Sequence, residues 1–175
     1  PLQLYTHTII YEDGKKEIIK LGNWCTRQRQ TKKGNRYGKL TEKQIRRLNN
    51  IGFIWNPITF VWEKYFKALK QFKEKNGKHQ WPSKNYTHTI TYEDEKKETI
   101  KLGNWCDTQR RAKKPNGRGK LTEKQIYRLN TIGFIWDPTT FAWEKYFKAL
   151  KQFKKKNGKH QWPSKNYTHT ITYED

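Results

Sequence analysis

Carboxylates are scarce in this chain. Its 175 residues hold 16 Asp and Glu against 38 Lys and Arg, a net charge of +22. Most of the acids fall in a recurring Tyr-Glu-Asp turn or near helix starts. No paired-carboxylate, Ser/His/Asp or Cys/His arrangement can be assembled from them, so the chain is not expected to be an enzyme by itself. Cysteine is nearly absent: Cys25 and Cys106 are the two, 81 positions apart and in the same local context. Two equivalent lone thiols read as small buried residues in a reducing compartment, not as a disulfide or zinc site. That points to an intracellular protein, cytoplasmic or nucleoid-associated. The five histidines (His7, His79, His88, His160 and His169) lack a second ligand at short spacing, so neither metal nor other cofactor is expected. No apolar run approaches the roughly 18 residues of a membrane span, and no signal peptide is visible. An anionic membrane surface is the second polyanion that the charge would suit, but the sequence has no continuous amphipathic basic helix with an exposed apolar face, so a membrane is not expected as a partner.

Apolar residues are also sparse, at 33% with a mean hydropathy of −1.21, which alone would suit a disordered chain. Aromatic residues argue the other way. They make up 15% of the sequence and include eight Trp. Large rings bury much area per residue, so several small cores are expected in place of one large one.

The chain repeats itself. Residues 5–94 align with 86–175 without a gap, and 16 of the 90 paired positions differ. Trp24, Trp55, Trp62 and Trp81 recur as Trp105, Trp136, Trp143 and Trp162. A fixed period of this fidelity marks a tandem array.

Three helices are expected per copy. The first begins at Asn56-Pro57 or Asp137-Pro138, where Asn or Asp suits the N-cap and Pro the first helical position. Trp62, Tyr65, Phe66, Leu69 and Phe72 fall on one arc of it, and Asn76-Gly77 ends it. The second starts near Gly22-Asn23 with Leu21, Trp24, Cys25 and Gln28 on one face, Trp24 being the expected core anchor. The third opens on a capping box of Thr41 and Gln44 and closes at Gly52. Between the first and second lies an alternating stretch that reads as a hairpin around Asp13-Gly14. Ile10 and Ile18 both become Thr in the second copy, so they are expected to share a face. The fold class is thus mainly α: tandem three-helix units with a short β-hairpin or extended connection per repeat.

The functional signal is the basic run that follows Trp24. Between Gly22 and Leu48 there are nine basic residues and one acid, and between Gly103 and Leu129 eight basic residues and two acids. A solvated face usually mixes signs; one sign, repeated, favours a polyanion. The candidate nucleic-acid-binding residues are Arg27, Arg29, Lys32, Lys33, Arg36, Lys39, Lys43, Arg46, Arg47 and Asn50 in the first copy. In the second they are Arg110, Arg111, Lys113, Lys114, Arg118, Lys120, Lys124, Tyr127 and Arg128. Arg29/Arg110, Lys32/Lys113 and Lys33/Lys114 are expected to hold phosphates. Nine of the 16 differences fall in residues 26–50, among them Arg46 against Tyr127 and Asn50 against Thr131, positions suited to reading bases. Trp81, outside any expected helix, is the best candidate for a base-stacking platform. The Gly34–Leu40 stretch is not a phosphate-binding loop: the spacing between its glycines is one residue short, Leu follows the Lys, and Pro115 replaces the first glycine in the second copy.

Taken together, Leu21-Gly22-Asn23-Trp24 with Gln28-Arg29, then Gly38-Lys39-Leu40-Thr41, then Leu48 with Ile51-Gly52-Phe53 and Trp55, resemble the helicase-associated domain. So do Pro57 with Trp62, and the later Asn76-Gly77-Lys78 with Trp81-Pro82. The resemblance covers essentially the whole chain. It implies a three-helix repeat that binds nucleic acid, appended to a larger helicase-like protein. Carried over by position, the family's pattern falls on Trp24, Gln28 and Arg29 and on Trp105, Gln109 and Arg110; its Ile-Gly-Phe-x-Trp falls on Ile51–Trp55 and Ile132–Trp136. The family's phase gives a partial repeat over 1–55, a complete one over 56–136 and the start of a third over 137–175. The expected partner is DNA or RNA, with DNA favoured, and neighbouring repeats or a helicase motor as further partners. A protein-interaction scaffold, using exposed aromatics, stays open as the alternative.

Overall fold

A computed structural model describes residues 5–34, 38–77, 79–117 and 119–170. The chain divides into two compact units, Pro1–Phe66 and Lys67–Asp175. The elements run β1 (His7–Ile10), β2 (Lys16–Ile19), α1 (Leu21–Lys32), α2 (Glu42–Asn50) and α3 (Pro57–Asn76). The same series follows as β3 (His88–Thr91), β4 (Lys97–Ile100), α4 (Leu102–Lys113), α5 (Glu123–Thr131) and α6 (Pro138–Asn157). The fold is mainly helical with two antiparallel two-stranded hairpins.

Local chemistry sets the boundaries. Thr41 accepts a hydrogen bond from the Gln44 backbone N–H while the Gln44 side chain accepts from the Thr41 N–H, a reciprocal cap repeated by Thr122 and Gln125. At the other end Gly52, at φ +69°, carries the chain out of α2. The Phe53 N–H returns to the Leu48 carbonyl at 2.9 Å and the Gly52 N–H to Asn49 at 2.8 Å, which satisfies two carbonyls that the helix leaves open. Gly133 and Phe134 repeat this. The long helices start as the sequence predicts: the Asn56 side chain accepts from the Thr59 N–H, and the Asp137 carboxylate from the Thr139 and Thr140 N–H groups.

In the first hairpin Thr8 faces Ile18 and Ile10 faces Lys16, so Ile10 and Ile18 lie on one face. That face is exposed, which fits the change of both residues to Thr in the second copy. The opposite face carries Ile9 and Ile19, and in the second copy Ile90 and the buried Ile100.

The core of the second unit contains Ala68, Leu69 and Phe72 from α3, Ile100, Leu102 and Cys106 from the hairpin and α4, and Leu129 and Phe134 from α5 and the turn after it. Phe72 meets Tyr86 edge-on at 4.9 Å, and Trp81 meets Phe134 edge-on at 5.3 Å. Gly103 is held against the 83–84 backbone so closely that a Cβ there would lie 1.9 Å from the Ser83 carbonyl oxygen.

One expectation fails. Trp24 does not anchor a core: it is 47% exposed, and Trp105 is half-buried. The inward stripe of the helix is Leu102, Cys106 and Gln109, spaced four and three residues apart, and it is buried. Trp24 and Trp105 each sit one residue before the Cys, about 100° round the helix from it. The slim Cys takes the crowded position.

Candidate nucleic-acid interface

The predicted basic residues separate into two groups. The first is held internally. The Arg29 Nε–H donates to the Ile54 carbonyl at 2.8 Å, and the guanidinium lies 4.9 Å from the centre of the Phe53 ring. Lys32 Nζ lies 4.0 Å above the Trp55 ring. Trp55 is fixed in turn by its indole N–H, which donates to the Asn49 side chain at 2.7 Å, and by an edge contact with Phe53. The second unit reproduces each contact: Arg110 to the Ile135 carbonyl at 2.9 Å and over Phe134 at 5.2 Å, Lys113 over Trp136 at 4.1 Å, and Trp136 to Asn130 at 2.8 Å. Arg110 also pairs with Asp107 at 2.7 Å.

These residues form a latch. The C-terminal half of α1 or α4 is tied, through its Arg and Lys, to the turn that follows α2 or α5. Arg29 and Arg110 therefore have a structural task that the sequence reading, which gave them phosphates, did not anticipate. The partner carbonyl lies 25 residues along the chain, and no local pattern announces it.

The second group points outward. Lys43, Arg46, Arg47 and Asn50 occupy one stripe of α2, at spacings of three, four and seven residues, opposite the buried Leu48 and half-buried Ile45. All four are exposed. The stripe is about 10 Å long at 1.5 Å per residue. That spans about three base-pair steps of 3.4 Å. Lys124, Tyr127, Arg128 and Thr131 form the same stripe on α5, with Tyr127 72% exposed and the Thr131 hydroxyl donating to the Tyr127 carbonyl at 3.0 Å. Lys33 and Lys39 stand exposed between α1 and α2, and Lys120 just before α5. Among the described residues, no carboxylate lies within 4 Å of Lys33, Lys39, Lys43, Arg46, Arg47, Lys120 or Lys124.

Other predicted positions are more engaged. Arg111 donates to the Thr108 hydroxyl at 3.3 Å. Lys114 lies close enough to Asp137 to help hold that carboxyl below its ordinary pKa, after the Thr140 hydrogen bonds, which are the larger cause. Arg27 is exposed and Arg128 half-buried, each with an interaction of its own. Arg36 and Arg118 lie outside the described residues. Trp81, the candidate stacking platform, is half-buried: it makes a T-shaped contact with Phe134, and Lys73 Nζ lies over its ring at 3.9 Å. Burial pushes the Lys73 pKa below its usual value.

Burial raises the Cys106 thiol to about 12, far from a nucleophile's range. Among the described residues no cluster of His, Cys, Asp and Glu could hold a metal ion, and no helix is long and apolar enough to cross a membrane.

The family comparison matches the same ground as the latch and the stripe. The model of the helicase-associated domain matches residues 4–56 and again 59–137. No match was found among curated proteins or among solved structures. Arg29 and Arg110 of the Gln-Arg segments, and Phe53, Ile54 and Trp55 with Phe134, Ile135 and Trp136 of the Ile-Gly-Phe-x-Trp segments, lie on the two sides of the latch. With most of its length matched in two successive stretches, the chain belongs to the helicase-associated domain family.

Proposed function

We propose that the chain is a nucleic-acid-binding repeat module, an accessory targeting array of a larger helicase-like protein, with DNA the favoured partner. The observation that carries this is the pair of outward stripes. Each is fixed by the reciprocal cap and the latch, and neither has carboxylate partners for Lys43, Arg46, Arg47 or Lys124 among the described residues. Prepositioned cations lose little side-chain freedom when they meet phosphates, and released counterions then drive binding. In this reading Lys33, Lys39, Lys43 and Arg47 and their counterparts contact phosphates. Arg46/Tyr127 and Asn50/Thr131 face the bases and give the two copies different preferences.

The repeat unit we propose runs from the long helix through the hairpin to the two short helices, residues 56–136. The shared core of α3, α4 and α5 within Lys67–Asp175 supports it. Catalysis by the parent protein would lie outside these residues; the net charge of +22 supports a polyanionic partner, and the two unpaired cysteines support a reducing compartment.

Fluorescence anisotropy with duplex DNA, single-stranded DNA and RNA over a salt series tests the reading. With three to five phosphates per copy, log K against log salt should fall with a slope of about −5 to −9 on duplex DNA. A slope flatter than about −2 would remove the electrostatic mechanism and favour a protein-binding scaffold. Selection from a random oligonucleotide pool should change when Arg46→Tyr and Asn50→Thr are introduced together.

A further inference from the structure

The outward stripe of α5 runs into a groove. Thr131 is the last residue of that helix and of the stripe, and it also lines a groove of about 740 Å³ within the second unit. Ligand pockets occupy roughly 300–1,000 Å³. One wall comes from the end of α3 and the segment after it, with Lys70, Lys73 and Trp81. The other comes from the end of α5 and its turn, with Ile132 and Ile135 beside Thr131, and Phe141 of α6 completes the lining. Phe141 is 40% exposed. Phe60, at the same position of α3, is 48% exposed, although a hairpin and two short helices follow its helix in the chain. An exposed ring is therefore a property of this position in the long helix, whether or not those elements follow it.

The charge of the lining favours an anion. Lys70 is exposed, with no carboxylate within 4 Å among the described residues. Lys73 Nζ lies over the Trp81 ring at 3.9 Å. Glu74 is the acid on the lining, and its counterpart on α6 is Lys155, so the position does not require a negative charge. An aromatic ring, two aliphatic side chains and lysines at one side match the two halves of a nucleotide. A flat apolar base suits the first and a phosphate the second.

We propose that this groove takes one unpaired nucleobase of the nucleic acid that the α5 stripe engages. The proposal deepens the nucleic-acid reading and rests on it. The base stacks on the Phe141 ring and packs against Ile132 and Ile135, while its phosphate meets Lys70. Stacking tolerates any sequence, because every base has a π-face. Trp81, the ring that the sequence offers for stacking, serves as a wall, with Lys73 over it. The substrate that satisfies stripe and groove together is a duplex that continues into a single strand.

Fluorescence anisotropy on the full chain tests this with a blunt duplex, the same duplex carrying a short single-stranded thymine extension, and the same extension built from abasic sugar-phosphate. The two extensions add equal charge, so they differ only in their bases. The thymine extension should bind about tenfold more tightly than the abasic one, the gain of one stacked base. Phe141→Ala should abolish that gain and leave the blunt duplex, its affinity and its salt slope, unchanged. Phe141→Trp should keep the gain. Lys70→Ala should flatten the salt slope of both extended probes by about 0.7 and spare the blunt duplex. Far-UV circular dichroism checks the fold of each variant. Equal binding of the two extensions, a gain that survives Phe141→Ala, or a loss shared equally by all probes would overturn the groove and leave the basic stripe standing. A parent chain that binds none of the probes overturns both readings.

Discussion

Replacing Arg110 with Ala separates the latch from a phosphate contact. The substitution removes a charged hydrogen bond to the Ile135 carbonyl at 2.9 Å, the pair with Asp107 at 2.7 Å and the contact over Phe134 at 5.2 Å. A hydrogen bond from a charged donor contributes about 1.5–3 kcal/mol. The Asp107 side chain is one-third exposed, so that pair is near the upper end for a surface bridge, about 1 kcal/mol. The ring contact adds about 0.5 kcal/mol. The three share one guanidinium and do not add fully, which leaves an expected loss of about 3 kcal/mol. Arg29 is an internal control. It makes the same carbonyl and ring contacts, but Thr26 stands where the second copy has Asp107. Arg29→Ala should therefore cost less by about 1 kcal/mol, the share of the ion pair. Hydrogen exchange of α4 and α5 amides reads the loss in the second unit separately from the first. Duplex binding over a salt series reads the other role: a lost phosphate contact flattens the slope by about 0.9. Arg47→Ala should do that while changing stability by no more than about 0.5 kcal/mol. If Arg110→Ala flattens the slope by that amount and leaves exchange unchanged, the residue is a phosphate ligand and the latch is wrong.

Glu95 occupies the position of Gly14 in the second hairpin and sits at φ +60°, so Glu95→Gly should relieve strain and stabilise that hairpin by about 0.5–1 kcal/mol, read from exchange of the β3 and β4 amides. Asp137 caps α6, and its pKa is lowered chiefly by hydrogen bonds from Thr140. A carboxyl whose folded pKa is depressed stabilises the fold above its unfolded value and loses that contribution as pH falls through the folded one. Exchange protection in the first turn of α6 should therefore decline below pH 3.8, and Asp137→Asn, the residue α3 uses, should remove that decline. Gly103→Ala would drive a methyl into the Ser83 carbonyl, where only backbone movement makes room, and should lower stability by about 3 kcal/mol in urea unfolding.

What was legible in the sequence was local. Thr41 with Gln44, Gly52 before Phe53, and Asn56 or Asp137 before Pro are short-range hydrogen-bonding arrangements whose chemistry is complete within six residues, and the helices begin and end there. The hairpin face was legible for a different reason: two Ile-to-Thr changes at Ile10 and Ile18 point to a shared face, which the structure finds exposed. Trp24 lies outside the core because ring size alone does not secure burial. In a helix packed by only a few side chains, position around the axis decides, and Cys25 holds the inward place.

The roles of the cations could not be read from their spacing. Arg29, Lys32 and Lys33 look alike in sequence, yet the first two end on the carbonyl and rings of residues 53–55 and the third in solvent. What divides them is the turn after α2, which brings an open carbonyl and two aromatic faces to the end of α1. The copy comparison narrows this only in part. Arg29, Lys32, Phe53 and Trp55 are unchanged between copies, as a latch requires, but so are Lys33, Lys39, Lys43 and Arg47, so invariance alone does not separate the latch from the outward cations. On the stripe only Arg46 and Asn50 differ, the variation that binding different bases would permit. The same division explains why charge alone does not delimit the interface. A cation bound to a carbonyl and a ring still adds to the field around the chain, whereas Lys33, Lys39, Lys43 and Arg47 extend into solvent on the proposed contact surface.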